Sequence, residues 1–374
     1  MRVAIVHYWL VGMRGGEKVL ESLCRRYPQA DIFTHCVAPE ALSPLLRGHR
    51  ITTSFINALP MSRKWYPYYL PLMPLALEQL DLRGYDLVIS SESGPAKGVI
   101  VPTGTPHLCY CHTPMRYLWD LYQEYLQEKS PCLRPVMRLL MHSLRSWDVL
   151  SANRVDRFVA NSATVAARIT RWWGRAADVV HPPVVLPAQP AAPRENTAQM
   201  PYLFFGQHVA YKRADLAIRA CHRLKRPLVI AGVGPETDRL KALAASLPQA
   251  DVTFTGRRQS QAEVYDLYAH SRALLFPGEE DFGIVPVEAM AAGCPVIAYG
   301  RGGATESVID GVCGLLFAEQ TEQALVDAMM RFEGMDFDAA AMRARAEMFS
   351  EARFMQEMDA QVALVMQGSR SPFC

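Results

Sequence analysis

The sequence predicts an α/β protein of two doubly wound domains, each a parallel sheet with helices on both faces. Three observations carry this. Short apolar runs alternate with amphipathic helical stretches along the whole chain. A proline- and alanine-rich stretch interrupts that pattern near the middle. The 374 residues, 50% hydrophobic and 20% charged, are too many for one ordinary domain and apolar enough for two cores.

In the first half the strand candidates are Val3–His7, Ile32–His35, Asp86–Ser90, Gly98–Val101, His107–Cys111 and Arg157–Ala160. In the second half they are Tyr202–Phe205, Leu228–Ala231, Val252–Thr255, Ala273–Phe276, Val296–Ala298 and Leu315–Phe317. Helical patterns at Asp215–Leu224, Glu236–Leu247 and Gln261–Ser271 separate the later strands. Strands that are apolar throughout, and separated by helices, belong to parallel sheets buried on both faces. Residues 182–201, PPVVLPAQPAAPRENTAQMP, read as a linker. The expected domains are therefore 1–187 and 188–350, with 351–374 a terminal helix packing back toward the first. Open α/β domains bind ligands at the carboxyl ends of their strands.

A net charge of +2, with no long basic run, gives no reason to expect a nucleic-acid partner. Nine cysteines, odd in number and scattered, fit a reducing cytoplasm better than a disulfide framework. The apolar start, Val3 to Val11, contains His7 and runs into Gly12, Gly15 and Gly16 without a small-residue cleavage site. It reads as a buried strand and its loop rather than a leader. No run of about 18 apolar residues offers a membrane-spanning helix.

The most informative segment is Pro277 to Ala298, PGEEDFGIVPVEAMAAGCPVIA. Gly283 frees the backbone after the strand, and Pro286 suits the first turn of a helix, which would place Glu288 in that turn. Gly293-Cys294-Pro295 ends the helix and opens the next strand. Glu280 then lies on a loop at the mouth of the sheet, and the N–H groups of Phe282, Gly283, Ile284 and Val285 open into the same space. Acceptors beside an anion-friendly helix end suit a ligand carrying hydroxyls and phosphates. A capped helix with two solvated acids explains the spacing as simply.

The segment resembles the E-x7-E motif of retaining GT-B glycosyltransferases of family 4, with Glu280 and Glu288 at the two acidic positions. The resemblance extends along almost the whole chain. Gly15-Gly16-Glu17 is similar to the family's first glycine loop, and Cys111 to Asp120, CHTPMRYLWD, to its HTPxRYxWD element. Asn161-Ser162 is similar to the NS that ends an N-domain strand, and Tyr211 to Asp215, YKRAD, to YKRxD after the first C-domain strand. The nearest branch looks like bacterial O-antigen and exopolysaccharide mannosyltransferases.

The resemblance implies a GT-B fold, two Rossmann-like domains facing a central cleft, with the acceptor on the first and the nucleotide sugar on the second. It implies a hexosyltransferase moving mannose from GDP-mannose to a lipid-linked or oligosaccharide acceptor in surface polysaccharide assembly, with no metal and no cofactor. Glu280 and the following amides would hold the sugar hydroxyls, and Glu288 the ribose. Lys212 would neutralise the diphosphate, approached from the other domain by Gly15 and Gly16. His112 would contact the sugar near the reacting carbon. The chain departs from many relatives at Gln207, where they carry arginine, so Arg213 or His208 would have to supply the missing charge. A diphosphate whose developing charge is met by fixed cations and amides is a good leaving group. Retention then needs no protein nucleophile, because the acceptor can attack from the side the phosphate leaves. The two glutamates are thus hydroxyl binders, unlike the acid and nucleophile of a glycosidase. The rival readings are a UDP-hexose donor, a catalytically inactive assembly partner, and a nicotinamide-dependent dehydrogenase. The last lacks a complete G-x-G-x-x-G after the first strand.

Residues 62–75, SRKWYPYYLPLMPL, join Arg63 and Lys64 to Trp65 and further aromatics. This composition suits either an anionic lipid surface or a loop packing its aromatics inward. The related enzymes use lipid-linked acceptors at the inner membrane face, which favours the lipid surface and a peripheral location on the cytoplasmic side. Arg116, in the HTPxRYxWD element, joins Arg63, Lys64 and Trp65 as a candidate acceptor or membrane contact. His107, Cys109, Cys111 and His112 crowd together, yet they lack the second ligand pair of a zinc site. Asp336-Phe337-Asp338 reads as a helix-capping loop, and Gly232-Val233-Gly234-Pro235 as a strand-to-helix turn, short of a full phosphate fingerprint, that suits a phosphate contact and a simple turn equally.

Overall fold

The computed structural model describes residues 1–127, 129–187, 197–257 and 260–368. Most of the proposed linker, residues 188–196, and the chain end beyond Gly368 lie outside the described residues. The chain forms two compact units, Met1–Pro183 with Ala352–Cys374, and Val184–Glu351.

The first unit is built on seven parallel strands: β1 Val3–His7, β2 Asp31–Thr34, β3 Ile51–Thr53, β4 Leu87–Glu92, β5 His107–Cys111, β6 Arg157–Ala160 and β7 Ala177–Val179. Their order in the sheet is β3-β2-β1-β4-β5-β6-β7. The direction of winding reverses between β1 and β4, where His7 stands opposite Ser91 in the register. Gly98–Val101, expected as a strand, is irregular. Its hydrophobicity has another cause: Val99 is core, and Gly98 lies under Trp147 so closely that a Cβ would sit 2.1 Å from the indole. One face of the sheet carries Ile5, Ile32, Ile89 and Tyr110, covered in part by Phe354, Met358, Val362 and Val365 of the helix Glu351–Gly368. On the other face, Val6 and Val88 pack in one cluster, and Cys109 and Phe158 in another.

A buried polar cluster also sits in this unit. Lys97 Nζ pairs with Asp148 and lies 3.8 Å from Glu92. Asp148 Oδ2 accepts the indole N–H of both Trp119 and Trp173 at 2.8 Å. Burial pushes the Glu92 carboxyl up to about 7, although Lys97 pulls the other way. All six tryptophans of the chain, Trp9, Trp65, Trp119, Trp147, Trp172 and Trp173, belong to this unit.

The second unit has six parallel strands: β8 Tyr202–Phe205, β9 Leu228–Ala231, β10 Val252–Gly256, β11 Leu274–Phe276, β12 Val296–Tyr299 and β13 Gly314–Phe317. Their order is β10-β9-β8-β11-β12-β13, so its reversal falls between β8 and β11. Cores lie on both faces, one holding Leu203, Phe276, Val287 and Val296, the other Phe204, Ile218, Leu275 and Ile297. Fully buried strand residues of this size contribute roughly 1.5–3 kcal/mol each.

Candidate functional site

Several candidate residues lie near the reversal of the sheet in each unit, the place where the ends of neighbouring strands leave a crevice in open α/β sheets.

In the second unit, β8 ends at Phe205 and the chain turns through Gly206 to the short helix Ala210–Lys212, while β11 ends at Phe276 and leads to Glu280. Lys212 Nζ and Glu280 Oε1 meet at 2.7 Å, both largely buried. Burial, the largest single influence, would lower the lysine pKa, but the charge and hydrogen bond of Glu280 together with Tyr211 outweigh it and the net shift is upward. The helix Ile284–Ala291 follows, capped by Gly283 in the left-handed conformation at φ 86°. The N–H groups of Ile284 and Val285 belong to its first turn and have no intrahelical acceptor. Glu288 is the fifth residue of this helix and sits in its second turn, not its first as the sequence suggested. The cause is Gly283, which lets the helix begin early enough that Pro286 occupies its third position. Glu288 is 3% exposed and accepts from Tyr268 Oη and Gln261 Nε2, each at 3.3 Å. Phe282 is buried against Phe349, ring centroids 5.4 Å apart.

The shape of this loop depends on residues the sequence reading passed over. Gly303 N donates to Glu280 O at 2.9 Å, and a Cβ on Gly303 would stand 2.2 Å from Phe282 Cα. The doublet Gly302-Gly303 just past β12 was the available signal. Both candidates for the charge missing at Gln207 already have partners. The Arg213 guanidinium is paired with Asp215 at 3.1 Å and reaches Gln320. His208 is buried and bonded to Thr237 Oγ1 at 2.9 Å, and burial lowers its pKa. The glycines of the Gly232–Pro235 turn pack on the Gly206–His208 backbone, with Gly234 N held by Thr237 Oγ1 at 2.9 Å. Asp338 caps the helix Ala339–Glu347 through Ala340 N.

In the first unit, Gly15 and Gly16 open the helix Gly15–Arg26 after β1. A Cβ on Gly16 would lie 2.1 Å from the Tyr8 hydroxyl, so any larger residue there requires the Tyr8 ring to move. Glu17, 2% exposed, accepts from Arg14 N through Oε2 at 2.9 Å. His112 follows β5 and is half-buried, its N–H bonded to Glu92 O at 2.7 Å. Its Nε2 lies 2.8 Å from Ser91 Oγ, and the same hydroxyl lies 3.0 Å from His7 Nδ1. His7 Nε2 faces Glu17 Oε1 at 3.8 Å. Burial, with His7 as a second cause, pushes His112 down to about 3. The sequence pointed to His112 but not to His7, Glu17 or Ser91 as its neighbours. Arg116 lies in the turn after Met115, half-buried.

Arg63, Lys64 and Trp65 form the one-turn helix Ser62–Trp65, distant in sequence from both crevices. Arg63 meets Glu40 at 3.3 Å. Tyr66 turns inward onto Trp9, while Tyr68 stays 77% and Trp65 44% exposed. His107 is spent on Ser90 Oγ at 2.8 Å, and Cys109 and Cys111 are core. Among the described residues no group of three His, Cys, Asp or Glu side chains is placed to hold a metal ion.

Comparison with known proteins matches residues 13–186 to "Glycosyltransferase Family 4" and residues 187–349 to "Glycosyl transferases group 1". The chain is built of GT-B glycosyltransferase family 4 and group 1 domains. Curated relatives of these domains include a D-inositol 3-phosphate glycosyltransferase of Streptosporangium roseum, 32% identical over 204 residues, covering 47% of either chain. Another, from Mycolicibacterium smegmatis, is 30% identical over 231 residues, covering 56% of this chain and 52% of the relative. The chain spans about half the length of the curated relatives it matches. The GT-B fold is shared with the lipopolysaccharide outer core galactosyltransferase WaaB (TM-score 0.68, 16% identity, 97% and 99% of the two chains). It is shared equally with Anabaena Alr3699/HepE, solved with UDP and glucose (TM-score 0.69, 19% identity, 96% and 99%).

Proposed function

We propose that this GT-B chain is a retaining hexosyltransferase that takes its sugar from a nucleoside diphosphate donor. One observation carries the reading: at the sheet reversal of the second unit, Lys212 and Glu280 meet at 2.7 Å beside the start of the helix Ile284–Ala291. A cation next to first-turn amides suits a diphosphate, and a carboxylate beside it suits sugar hydroxyls. When the glycosidic bond breaks, negative charge grows on the diphosphate, and Lys212 with the amides of Ile284 and Val285 meets it without reorganisation. Glu288, held by Tyr268 and Gln261, takes the ribose hydroxyls. Glu280 is paired with a lysine and Glu288 is buried among donors, so neither is set up as a general acid. The acceptor supplies the nucleophile from the face the diphosphate leaves, and His112 takes the sugar contact that the sequence resemblance implies. Gly15 and Gly16 give backbone access to the phosphates. With Arg213 paired to Asp215, Lys212 carries the diphosphate charge.

The resemblance of the sequence to polysaccharide mannosyltransferases makes GDP-mannose the first donor to test and a lipid-linked glycan the first acceptor. The second reading is a UDP-hexose, favoured by a fold neighbour solved with UDP and glucose. Exposed Trp65 and Tyr68 beside Arg63 and Lys64 suit docking on the anionic inner face of the cytoplasmic membrane. No described helix is long and apolar enough to cross one. Thermal-shift measurements with GDP, UDP and their sugars decide the base, since a ligand at about 100 times its Kd adds roughly 2.7 kcal/mol. Transfer should persist in EDTA. Transfer abolished by EDTA and restored by manganese would remove Lys212 from the role of counter-ion.

A further inference from the structure

The chain of contacts from Glu17 through His7 and Ser91 to His112 fixes where hydrogens can sit. We propose that Glu17, acting through His7 and Ser91, holds His112 in the Nε2–H tautomer and so presents a bare Nδ1 lone pair to a donor-sugar hydroxyl. The ligand half of this statement rests on the reading of His112 as a sugar contact; the tautomer half does not.

The argument is one of counting. A serine hydroxyl has one hydrogen and two lone pairs, and each of the two rings, taken in its neutral form at the pH of the test below, has one N–H and one bare nitrogen. Ser91 Oγ is shared between His7 Nδ1 at 3.0 Å and His112 Nε2 at 2.8 Å. It can donate to one ring only, so at least one ring must donate to it. Glu17 decides which. Its Oε2 is taken by Arg14 N at 2.9 Å, and its Oε1 faces His7 Nε2 at 3.8 Å. That gap is too long for a hydrogen bond. The side chains are 0% and 2% exposed, however, so the carboxylate charge acts on the ring with little screening. A lone pair on Nε2 would point at an anion, whereas an N–H there points its positive end toward it. His7 therefore carries its hydrogen on Nε2, and its Nδ1 accepts from Ser91. With its hydrogen spent, Ser91 can only accept from His112 Nε2–H. Among the described residues Nδ1 of His112 has no hydrogen-bond partner. The low basicity that burial gives this ring keeps it neutral, so the bare nitrogen persists at working pH.

The topology explains why three strands are needed. In the register His7 stands opposite Ser91 and Ser91 opposite Tyr110, so His112, two residues beyond Tyr110, leaves the carboxyl edge of the sheet just past that row. Glu17, His7 and Ser91 are thus positioning residues for His112.

The test is a 15N–1H long-range correlation spectrum of the full chain labelled at histidine, at about pH 8, a unit and a half above the ordinary imidazole pKa. The His7 and His112 signals are assigned from the His7→Gln and His112→Gln spectra. The expected result is a pyridine-type Nδ1 and a pyrrole-type Nε2 on His112. Ser91→Ala should give a mixture of tautomers on His112 and lower kcat about 10- to 100-fold, with nucleotide affinity unchanged. Glu17→Gln should shift the same balance while keeping the side-chain volume. A His112 ring carrying its hydrogen on Nδ1 in the wild-type protein overturns the proposal, as does a tautomer unmoved by both substitutions. If Ser91→Ala does not fold, the wild-type spectrum and Glu17→Gln still decide. The spectrum needs no substrate, so the predicted tautomer in a chain whose His112→Gln variant transfers sugar normally would overturn the sugar contact and leave the relay standing.

Discussion

Lys212 and Glu280, held on loops after two different strands, form an ion pair 2.7 Å long at the reversal of the second sheet. Each carries the charge the other lacks, so the two offset one another. A diphosphate would draw the lysine, and sugar hydroxyls the carboxylate.

Removing the carboxylate charge should therefore separate binding from turnover. Glu280→Gln frees Lys212 from its partner, and free nucleoside diphosphate should bind as well as before or somewhat more tightly. Turnover should fall about 10- to 1000-fold, as for loss of one preorganised polar group. Calorimetry with GDP and UDP beside steady-state kinetics reads both. Lost nucleotide binding with kcat intact would place the sugar elsewhere.

Glu288 should behave in the opposite way. A ribose contact is made equally in the ground and transition states, so its loss raises KM and spares kcat. Glu288→Gln should weaken free nucleotide and donor alike by about 1.5–3 kcal/mol. A kcat effect larger than the binding effect counts against the ribose assignment.

Much of this fold could be read before the structure, and the misses have definite causes. Eleven of the strands announce themselves as apolar runs because both faces of a parallel strand are buried. The edge strands Ile51–Thr53 and Ala177–Val179 were not anticipated, since three half-buried or exposed residues leave no apolar signature. Gly98–Val101 misled in the other direction, because Gly98 packs under Trp147 and Val99 in the core without joining a ladder, while Ile100 is apolar yet exposed. At the site, Glu280, Glu288, Lys212 and His112 were legible through motif resemblance. The contacts of His112 were not, because Ser91 becomes its neighbour only once the sheet order places β4 between β1 and β5.

The segment 62–75 offers a direct test of membrane docking. Replacing Arg63, Lys64 and Trp65 together with alanine should weaken sedimentation with anionic liposomes at low salt by roughly 1 kcal/mol per basic residue. Melting temperature should barely move, since all three side chains are exposed. Sedimentation equal to the parent protein would mean the exposed aromatics serve something other than lipid.

The buried cluster at Lys97 should give the first unit a pH-dependent stability. Burial raises the folded-state pKa of Glu92 from 4.5 to about 7. A raised carboxyl means that the native state holds a proton the unfolded chain releases. Its contribution is therefore full below about pH 4.5 and is lost as pH climbs through about 7. Melting temperature followed from pH 5 to 8 should fall less steeply in Glu92→Gln than in the parent. Lys97→Met should destabilise by about 3–5 kcal/mol, because it removes one partner of a fully buried ion pair and leaves the other without its counter-ion. Parallel melting curves for Glu92→Gln and parent would remove Glu92 as the titrating group.

The confinement of every indole to one unit gives the chain an internal reporter that needs no label. Intrinsic fluorescence excited at the indole band follows only the unfolding of the first unit, whereas far-ultraviolet circular dichroism follows both. In urea, coincident midpoints by the two probes would describe a single cooperative block. Separated midpoints would resolve the two units in the native sequence, so that a nucleotide raising only the later or only the earlier transition identifies the unit that holds it.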